Sequence, residues 1–304
     1  MITIENLVKA FGPKRAVDGI SFSVERGEVL GFLGPNGAGK STTMRMITGF
    51  MPPTEGRITV GGYDVAESPL EEKRLIGYLP ENAAAYPDMT VHGFLSFAAE
   101  LRGLDGEARK RALDRVVDLC FLHSVLHQSI DTLSKGYRHR TCLAQALIHD
   151  PDVLIMDEPT DGLDPNQKHE VRNLIRELGK TKAIVFSTHI LEEVDAACTR
   201  AIIIDRGRIV ANGTPEELRA MSALHGAVTL QAQGASAEKL SPLGRVEKLN
   251  GAFRIFPNEK SKDLAQAVIE LVSREGWKVE ALHNETGQLD EVFRRITLPD
   301  TVKK

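Results

Sequence analysis

The chain has 304 residues, of which 42% are hydrophobic and 26% are charged, and this balance excludes disordered and fibrous classes. Its 38 Lys and Arg against 42 Asp and Glu give a net charge of −4, so no basic excess favours nucleic acid as a partner. The apolar runs are far shorter than the roughly 18 residues of a membrane span, and the N-terminus does not resemble a signal peptide.

From the N-terminus to about residue 215, short apolar runs typical of strands alternate with helical patterns. The predicted strands cover residues 2–4, 20–24, 29–33, 153–156, 183–186 and 201–204. Runs that are apolar on both faces suit buried strands of a sheet covered by helices, so we predict an α/β domain. Arg206-Gly207 then predicts a hairpin turn into a strand over 208–211.

The middle of the chain, residues 91–148, shows mainly helical patterns. Within 107–120, Ala112, Val116 and Leu119 share one helical face, and charged residues occupy the others. We therefore predict an all-helical segment inserted into the α/β domain.

The pattern changes again after Thr214-Pro215. Strands are predicted over 227–232, 246–249, 252–256 and 277–282, and helices over 263–274 and 289–296. Asn250-Gly251 predicts a type I′ turn between the two middle strands, because this dipeptide accepts positive φ angles. The region predicts a small α+β domain, near the lower size limit for independent folding.

The three cysteines, Cys120, Cys142 and Cys198, are few, odd in number and widely spaced. This usage fits a reduced cytosolic protein without a cysteine metal site. We predict that all three are buried packing residues.

A glycine-rich segment, Gly-Pro-Asn-Gly-Ala-Gly-Lys-Ser, follows the strand predicted over 29–33 and precedes a helical pattern. It fits the phosphate-binding pattern GxxxxGK[ST] in the required context. Glycines let successive backbone N–H groups curl around phosphates, and the helix N-terminus adds partial positive charge. We expect Lys40 to reach the β- and γ-phosphates and the Ser41 hydroxyl to ligate Mg²⁺. The nucleotide-binding residues predicted in this segment are Gly34, Pro35, Asn36, Gly37, Ala38, Gly39, Lys40, Ser41 and Thr42.

Two adjacent carboxylates, Asp157 and Glu158, follow the strand predicted over 153–156. Acids at the carboxyl end of a strand lie where α/β folds bind ligands. Asp157 can hold Mg²⁺, and because adjacent strand residues point opposite ways, Glu158 can face the attacking water as a general base. A solvated pair that merely ends the strand is the weaker alternative beside a phosphate-binding loop.

Further segments resemble motifs of the ABC ATPases. Leu133-Ser134-Lys135-Gly136-Tyr137 is similar to the Leu-Ser-Gly-Gly-Gln signature, with differences at two of the five positions. Asp161-Gly162-Leu163-Asp164 resembles the D-loop, His189 the switch histidine, and Phe11 the aromatic residue that stacks on adenine. Taken alone, Phe11 also fits a core residue, His189 a strand-end residue, and Ser134 or Asp164 a helix cap. The order of all the motifs along the chain favours the family.

The resemblance covers about residues 1–215, and two segments indicate one branch of the family. Residues 76–82 and 289–293 look like those of the single-domain ATPase subunits of type-2 ABC exporters, including the drug-efflux and gliding-motility branches, which carry a C-terminal extension of this kind. The implied fold is a P-loop core over 1–215 with a helical subdomain at about 82–150, followed by a C-terminal α+β accessory domain over 216–304.

The resemblance also implies roles for the candidate residues. Glu158, His189 and Glu81 would be catalytic, and Ser41, Asp157 and Glu81 would organise Mg²⁺. Phe11, Ser134, Gly136 and Asp164 would add nucleotide contacts, with Ser134 acting on the ATP of a second copy.

Two departures from the family pattern affect these roles. Glu81 stands where the Q-loop usually has Gln, although a carboxylate recurs there in this exporter branch. Tyr137 replaces the last residue of the signature. Arg138-His139-Arg140 suggests an anion site, but we predict an exposed helix face.

The reaction implied is hydrolysis of ATP to ADP and phosphate by two copies that sandwich two ATP molecules. A separate integral-membrane permease would bind the chain on the inner face of the cell membrane, and a groove of this chain that includes residues 81–91 would receive the coupling helices of the permease. The competing class is a soluble ABC ATPase that remodels or regulates other factors, but such proteins usually carry two ATPase domains or a long coiled coil. Glu158 and the signature segment argue against a third class, the P-loop kinases.

Overall fold

The structure, a computed structural model, describes residues 1–82, 84–258 and 263–297. Ala83, within the predicted helical subdomain and permease groove, and residues 259–262 and 298–304, within the predicted C-terminal domain, lie outside the described residues. The chain forms two compact units, Met1–Pro215 and a second that begins at Glu216. Across the described residues, no helix has both the length and the apolar character needed to cross a membrane.

The first unit contains two sheets. Its strands are β1 (Ile2–Phe11), β2 (Lys14–Val24), β3 (Val29–Leu33), β4 (Glu55–Val60), β5 (Tyr63–Asp64), β6 (Ile76–Leu79), β7 (Val153–Asp157), β8 (Ala183–Thr188), β9 (Arg200–Asp205) and β10 (Arg208–Gly213). One sheet has the order β2-β1-β4-β5, and the other has the order β10-β9-β3-β8-β7-β6. In the second sheet every pairing is parallel except that of β10 with β9. The α/β class predicted from the sequence is confirmed, although β4, β5 and β6 were not predicted as strands.

The helices of this unit complete the layers around the six-stranded sheet. They are α1 (Lys40–Ile47), α2 (Pro69–Leu75), α3 (Val91–Leu101), α4 (Gly106–Leu119), α5 (Lys135–Leu147), α6 (Pro165–Gly179) and α7 (Leu191–Ala197). Between β6 and β7 the described residues form no strand, only α3 to α5 and two short 3₁₀ turns, His123–Val125 and Ile130–Thr132. This arrangement agrees with the inserted helical segment that the sequence pattern indicates.

Alternation along the central strands divides their side chains between two hydrophobic cores. In β7, Leu154 and Met156 pack in the core that includes the inserted helices, whereas Val153 and Ile155 pack in the core beneath α1 and the smaller sheet. Side chains of a strand point alternately to the two faces, so a strand covered on both faces needs apolar residues at every position. The loops at the carboxyl ends of β3, β7 and β8 are thereby held on a rigid sheet.

The second unit packs helices on a four-stranded antiparallel sheet. Its elements are α8 (Pro215–Ala220), which begins at the boundary, and then β11 (Val228–Gln233), α9 (Ala237–Leu240), β12 (Gly244–Leu249), β13 (Ala252–Pro257), α10 (Leu264–Glu275), β14 (Lys278–Asn284) and α11 (Leu289–Ile296). The strand order is β12-β13-β11-β14, and all pairings are antiparallel. Leu264, Val268 and Leu271 of α10 pack against Val228 and Leu230 of β11. These elements form the small α+β fold that the sequence predicts.

The predicted hairpin between β12 and β13 is present, but its turn is not type I′. Leu249 pairs with Ala252, so the loop has the predicted length. Gly251 has a φ of 80°, whereas Asn250 is not among the described residues with positive φ, and a type I′ turn needs positive φ at both. That geometry occurs instead between β9 and β10, where Arg206 and Gly207 have φ values of 48° and 79°.

The cysteines lie in or against the core of the first unit. Cys120 and Cys142 are buried as predicted, and burial raises the pKa of each thiol to about 12. Cys198 is half-buried and packs against the same core.

Candidate functional site

The glycine-rich loop joins β3 to α1 and folds back around its own lysine. The Lys40 ammonium donates hydrogen bonds to the carbonyl oxygens of Gly34 at 2.7 Å and Pro35 at 3.3 Å. Burial lowers the pKa of Lys40, and the carboxylates of Glu158, Asp157 and Glu81 oppose that shift. The loop thus holds a buried cation at the amino end of a helix, as a phosphate-binding site requires.

Two glycines of the loop occupy positions that no other residue fits. Gly39 has a φ of 111°, and a Cβ there would lie 2.4 Å from the carbonyl oxygen of Ala16. A Cβ on Gly34 would lie 2.4 Å from the carbonyl oxygen of Ile204. The path of the loop therefore depends on glycine, which explains part of the sequence pattern in steric terms.

The two acids at the end of β7 lie in different environments: Asp157 is buried, whereas Glu158 lines a cavity. Asp157 ends β7, is 1% exposed and accepts a hydrogen bond from the Ser187 hydroxyl. Glu158 leaves the strand with a φ of 51°, and its backbone N–H donates to the Ser187 carbonyl at 3.2 Å and hydroxyl at 3.0 Å. The side chains of Asp157 and Glu158 point in different directions, as predicted. The cause is the turn of the backbone at Glu158 and not the alternation of side chains along a strand.

The Glu158 carboxylate lies between the lysine and the histidine that the motifs single out. One oxygen is 4.0 Å from Lys40 Nζ, and the other is 3.2 Å from His189 Nδ1. The carboxylate is 16% exposed, so it can reach a water molecule while remaining held by its neighbours. This position suits a general base.

A cavity of about 480 Å³ brings most of the predicted site residues together. Its lining includes Phe11, Asn36, Gly37, Gly39, Lys40, Ser41, Thr42, Glu81, Glu158 and His189, together with Lys14 and Ala16. Phe11 is 50% exposed, so it is not a core residue. Lys14 and Ala16 were not predicted as site residues. Lys14 pairs with Phe11 across the β1–β2 turn, so recognising that hairpin in the sequence would have placed Lys14 beside Phe11 at the cavity.

Four residues predicted in the site support the cavity from behind rather than line it. Gly34 and Pro35 bind Lys40 through their carbonyl oxygens. Ala38 is buried, and its carbonyl accepts from the Gly207 N–H at 2.9 Å. Asp157 is held in the interior by Ser187.

The oxygen donors near the cavity fit a divalent cation. Asp157 Oδ2 is buried and has no hydrogen-bond partner, which is costly unless a cation or its water shell satisfies it. Ser41 and Glu81 add oxygen donors from the lining of the cavity. A hydroxyl and carboxylates are the ligands that Mg²⁺ prefers.

Comparison with known proteins agrees with this geometry. Residues 17–161 match the ABC transporter family model. The linearmycin resistance ATP-binding protein LnrL of Bacillus subtilis (strain 168) is 43% identical over 220 residues, which cover 72% of this chain and 70% of that protein. The chain belongs to the ABC transporter family.

Two further comparisons extend the relationship. The uncharacterized ABC transporter ATP-binding protein YxlF of Bacillus subtilis (strain 168) is 35% identical over 311 residues, covering 97% of this chain and 99% of that protein. A solved structure described as an ATP binding subunit of an ABC transporter has a TM-score of 0.67 and 32% identity, over 72% of this chain and 92% of that one. The chain is an ABC ATPase of the drug-exporter type and the nucleotide-binding subunit of its transporter. The soluble remodelling factor is not favoured.

The signature and D-loop residues of this ABC ATPase lie outside the nucleotide cavity of their own chain. Ser134 caps α5 by accepting from the Tyr137 N–H at 3.4 Å, and Asp164 caps α6 by accepting from the Gln167 N–H at 2.9 Å. Gly136 is buried against the side-chain amide of Gln167, which would have to move to admit a Cβ. Ser134 and Asp164 are therefore helix caps within one chain, as the alternative interpretation allowed.

A second cavity, of about 350 Å³, lies beside the first and shares Glu81 with it. Its lining also includes Asn82, Arg138 and His139. The prediction of an exposed face over Arg138-His139-Arg140 is wrong for two of its residues. His139 is 4% exposed, and burial lowers its pKa to about 4; Arg140 is 7% exposed and binds Glu170 at 2.5 Å.

Proposed function

We propose that two copies of this ABC ATPase sandwich two Mg²⁺–ATP molecules and that their hydrolysis drives export through a separate membrane-spanning permease. The observation that carries the proposal is the division of the site. One cavity contains the phosphate loop, Glu158 and His189, whereas Ser134 and Asp164 lie outside it. This division supports the proposal, in which a second copy would supply the groups that lie outside the cavity.

Each cavity residue has a chemical task in this proposal. Phe11, half-exposed at the rim, offers its ring to the adenine, and the loop with Lys40 holds the phosphates. Ser41, Asp157 and Glu81 would hold Mg²⁺, which neutralises developing charge on the phosphates. Glu158 would accept a proton from water, and His189, whose Nδ1 is 3.2 Å from the Glu158 carboxylate, would orient that carboxylate and contact the γ-phosphate.

The partner and the location follow from the transporter role. Because no described helix can cross a membrane, the proposed permease is a separate integral-membrane subunit. The chain would bind that permease from the cytoplasm, on the inner face of the cell membrane, through the groove that includes residues 81–91. No basic excess supports a nucleic acid as partner.

Glu158→Gln tests the proposal because it retains the shape of the side chain and removes its charge. ATP should still bind through Lys40 and Ser41, while hydrolysis should fall by about 10² or more, the scale of a lost general base. The uncleaved γ-phosphate would then keep two chains together. Size-exclusion chromatography with ATP and Mg²⁺ should show a dimer, whereas the wild type turns over and separates.

The matched variants of this experiment add a charge at two serines. Ser134→Arg in the Glu158→Gln background should dissolve the dimer by blocking the contact made across it. Ser23→Arg makes the same substitution at an exposed serine of β2, away from the signature segment, and should leave the dimer intact. A Glu158→Gln chain that stays monomeric and hydrolyses ATP at the wild-type rate would refute both the base and the sandwich.

A further inference from the structure

Helix α7, which follows His189, contains a buried carboxylate that no motif singles out. Glu193 is 1% exposed, and each of its two oxygens accepts a hydrogen bond from a threonine hydroxyl. Thr188 donates to Oε2 at 2.6 Å, and Thr160 donates to Oε1. Both threonines are 2% exposed, so these contacts are shielded from competing water. A buried carboxylate that accepts from hydroxyls makes hydrogen bonds stronger than neutral ones.

The two threonines belong to the two loops that carry the reacting side chains. Thr160 follows Glu158 by two positions in the turn after β7, and Thr188 ends β8 directly before His189. The Thr188 hydroxyl also accepts from the Ile190 N–H at 2.9 Å, so its orientation is fixed from both sides. Glu193 therefore ties the turn that carries Glu158 to the turn that carries His189.

The connection through Glu193 is important because the Glu158 backbone has an unfavourable conformation. Its φ of 51° is unusual for a residue other than glycine, and such conformations persist only where surrounding contacts hold them. Ser187 provides one set of contacts, at the Glu158 N–H. Thr160 provides the next fixed point along the chain, through Glu193.

We propose that Glu193 is a positioning residue for ATP hydrolysis: it holds Glu158 and His189 at their observed separation without touching the nucleotide. Glu193 is absent from the lining of the nucleotide cavity, whereas Glu158 and His189 are in it. Loss of Glu193 should therefore reduce the catalytic step and leave nucleotide binding by Lys40 and Ser41 intact. A displacement of about 1 Å at a reacting group can cost roughly 10²-fold in rate.

The experiment compares steady-state ATPase constants of the purified full chain. Glu193→Ala should lower kcat by roughly ten- to a hundredfold with KM for ATP within about twofold of the wild type. Glu193→Gln retains one acceptor oxygen and should recover part of kcat. Glu192→Gln, the same substitution at the exposed neighbouring residue of α7, should match the wild type.

Thr160→Val provides a variant of nearly unchanged shape in case Glu193→Ala folds poorly. If Thr160 acts through Glu193, Thr160→Val should lower kcat, and adding Glu193→Gln should lower it by less than the product of the two single effects. Equal kcat for Glu193→Ala, Thr160→Val and the wild type would overturn the proposal, as would losses confined to KM or proportional to the unfolded fraction. The positioning role rests on the proposed ATP hydrolysis, and the two can fail separately. A wild-type chain that does not hydrolyse ATP would refute the proposed function, whereas an active wild type with equally active variants would refute only the role of Glu193.

Discussion

The buried side chain of Glu72 in α2 predicts that the stability of the folded chain depends on pH. The residue is 0% exposed, and neither carboxylate oxygen has a hydrogen-bond partner. Burial raises its pKa from 4.5 to about 7, against the opposing effect of Lys73 and Arg102. The folded state therefore binds the Glu72 proton more tightly than the unfolded state. The stability that this proton contributes is fully present below pH 4.5 and is lost as pH rises through about 7.

The magnitude follows from the same two values. One pKa unit corresponds to about 1.36 kcal/mol, so the loss reaches roughly 3 kcal/mol at most, and water entering the site reduces it to about 1–3 kcal/mol. Glu72→Gln cannot ionise and should escape this loss. Its advantage over the wild type should grow by about 1–3 kcal/mol between pH 4.5 and pH 8, and each kcal/mol shifts Tm by about 2–4 °C in a unit of this size.

Thermal unfolding followed by circular dichroism, at constant ionic strength from pH 5 to pH 8, measures this difference. The buried Gln amide also lacks a partner, so the pH dependence of the difference carries the test rather than its absolute value. Glu71→Gln, at the exposed neighbouring position, should show almost no pH-dependent difference. If the Tm difference between Glu72→Gln and the wild type is the same at pH 5 and pH 8, the buried, unpartnered position of Glu72 is wrong.

Two further predictions concern binding and the second unit. Lys40→Ala removes the side-chain cation from the phosphate loop and should abolish ATP binding at micromolar nucleotide in calorimetry; unchanged affinity would contradict the loop assignment. A chain truncated after Pro215 retains every residue of the nucleotide cavity and both cores of the first unit, so it should bind and hydrolyse ATP with altered dimerisation or coupling. A folded, soluble truncation that cannot bind ATP would refute that independence.

Local sequence patterns predict the parts of this structure that depend on local physics. The phosphate loop follows from glycines whose added Cβ atoms would collide with backbone, as at Gly34 and Gly39. The central strands follow from runs that must be apolar on both faces, as in β7 and β8. The smaller sheet was only partly predicted, because exposed positions in β1, β2 and β4 interrupt their apolar pattern.

Contacts between distant residues explain what the patterns did not predict. Asn250-Gly251 has the favoured type I′ dipeptide, yet that turn forms at Arg206-Gly207. There the Gly207 N–H donates to Ala38 and the Gly207 carbonyl accepts from Asp18, both at 2.9 Å, so packing against the loop and β2 fixes the turn. Burial of Arg140 likewise depends on Glu170 in another helix. No local signal encodes such partners.

The geometry of the base also comes from distant contacts. Continuation of β7 in an extended conformation would point Glu158 to the face opposite Asp157. A positive φ of 51° changes that direction at a cost of about 1–2 kcal/mol for a residue with a Cβ. Ser187, from the neighbouring strand, accepts from the Glu158 N–H through both its carbonyl and hydroxyl oxygens, and its hydroxyl donates to Asp157. One serine thus fixes both acids. The Glu158 carboxylate reaches His189 and Lys40 because β7 ends at Asp157 and the backbone turns at Glu158.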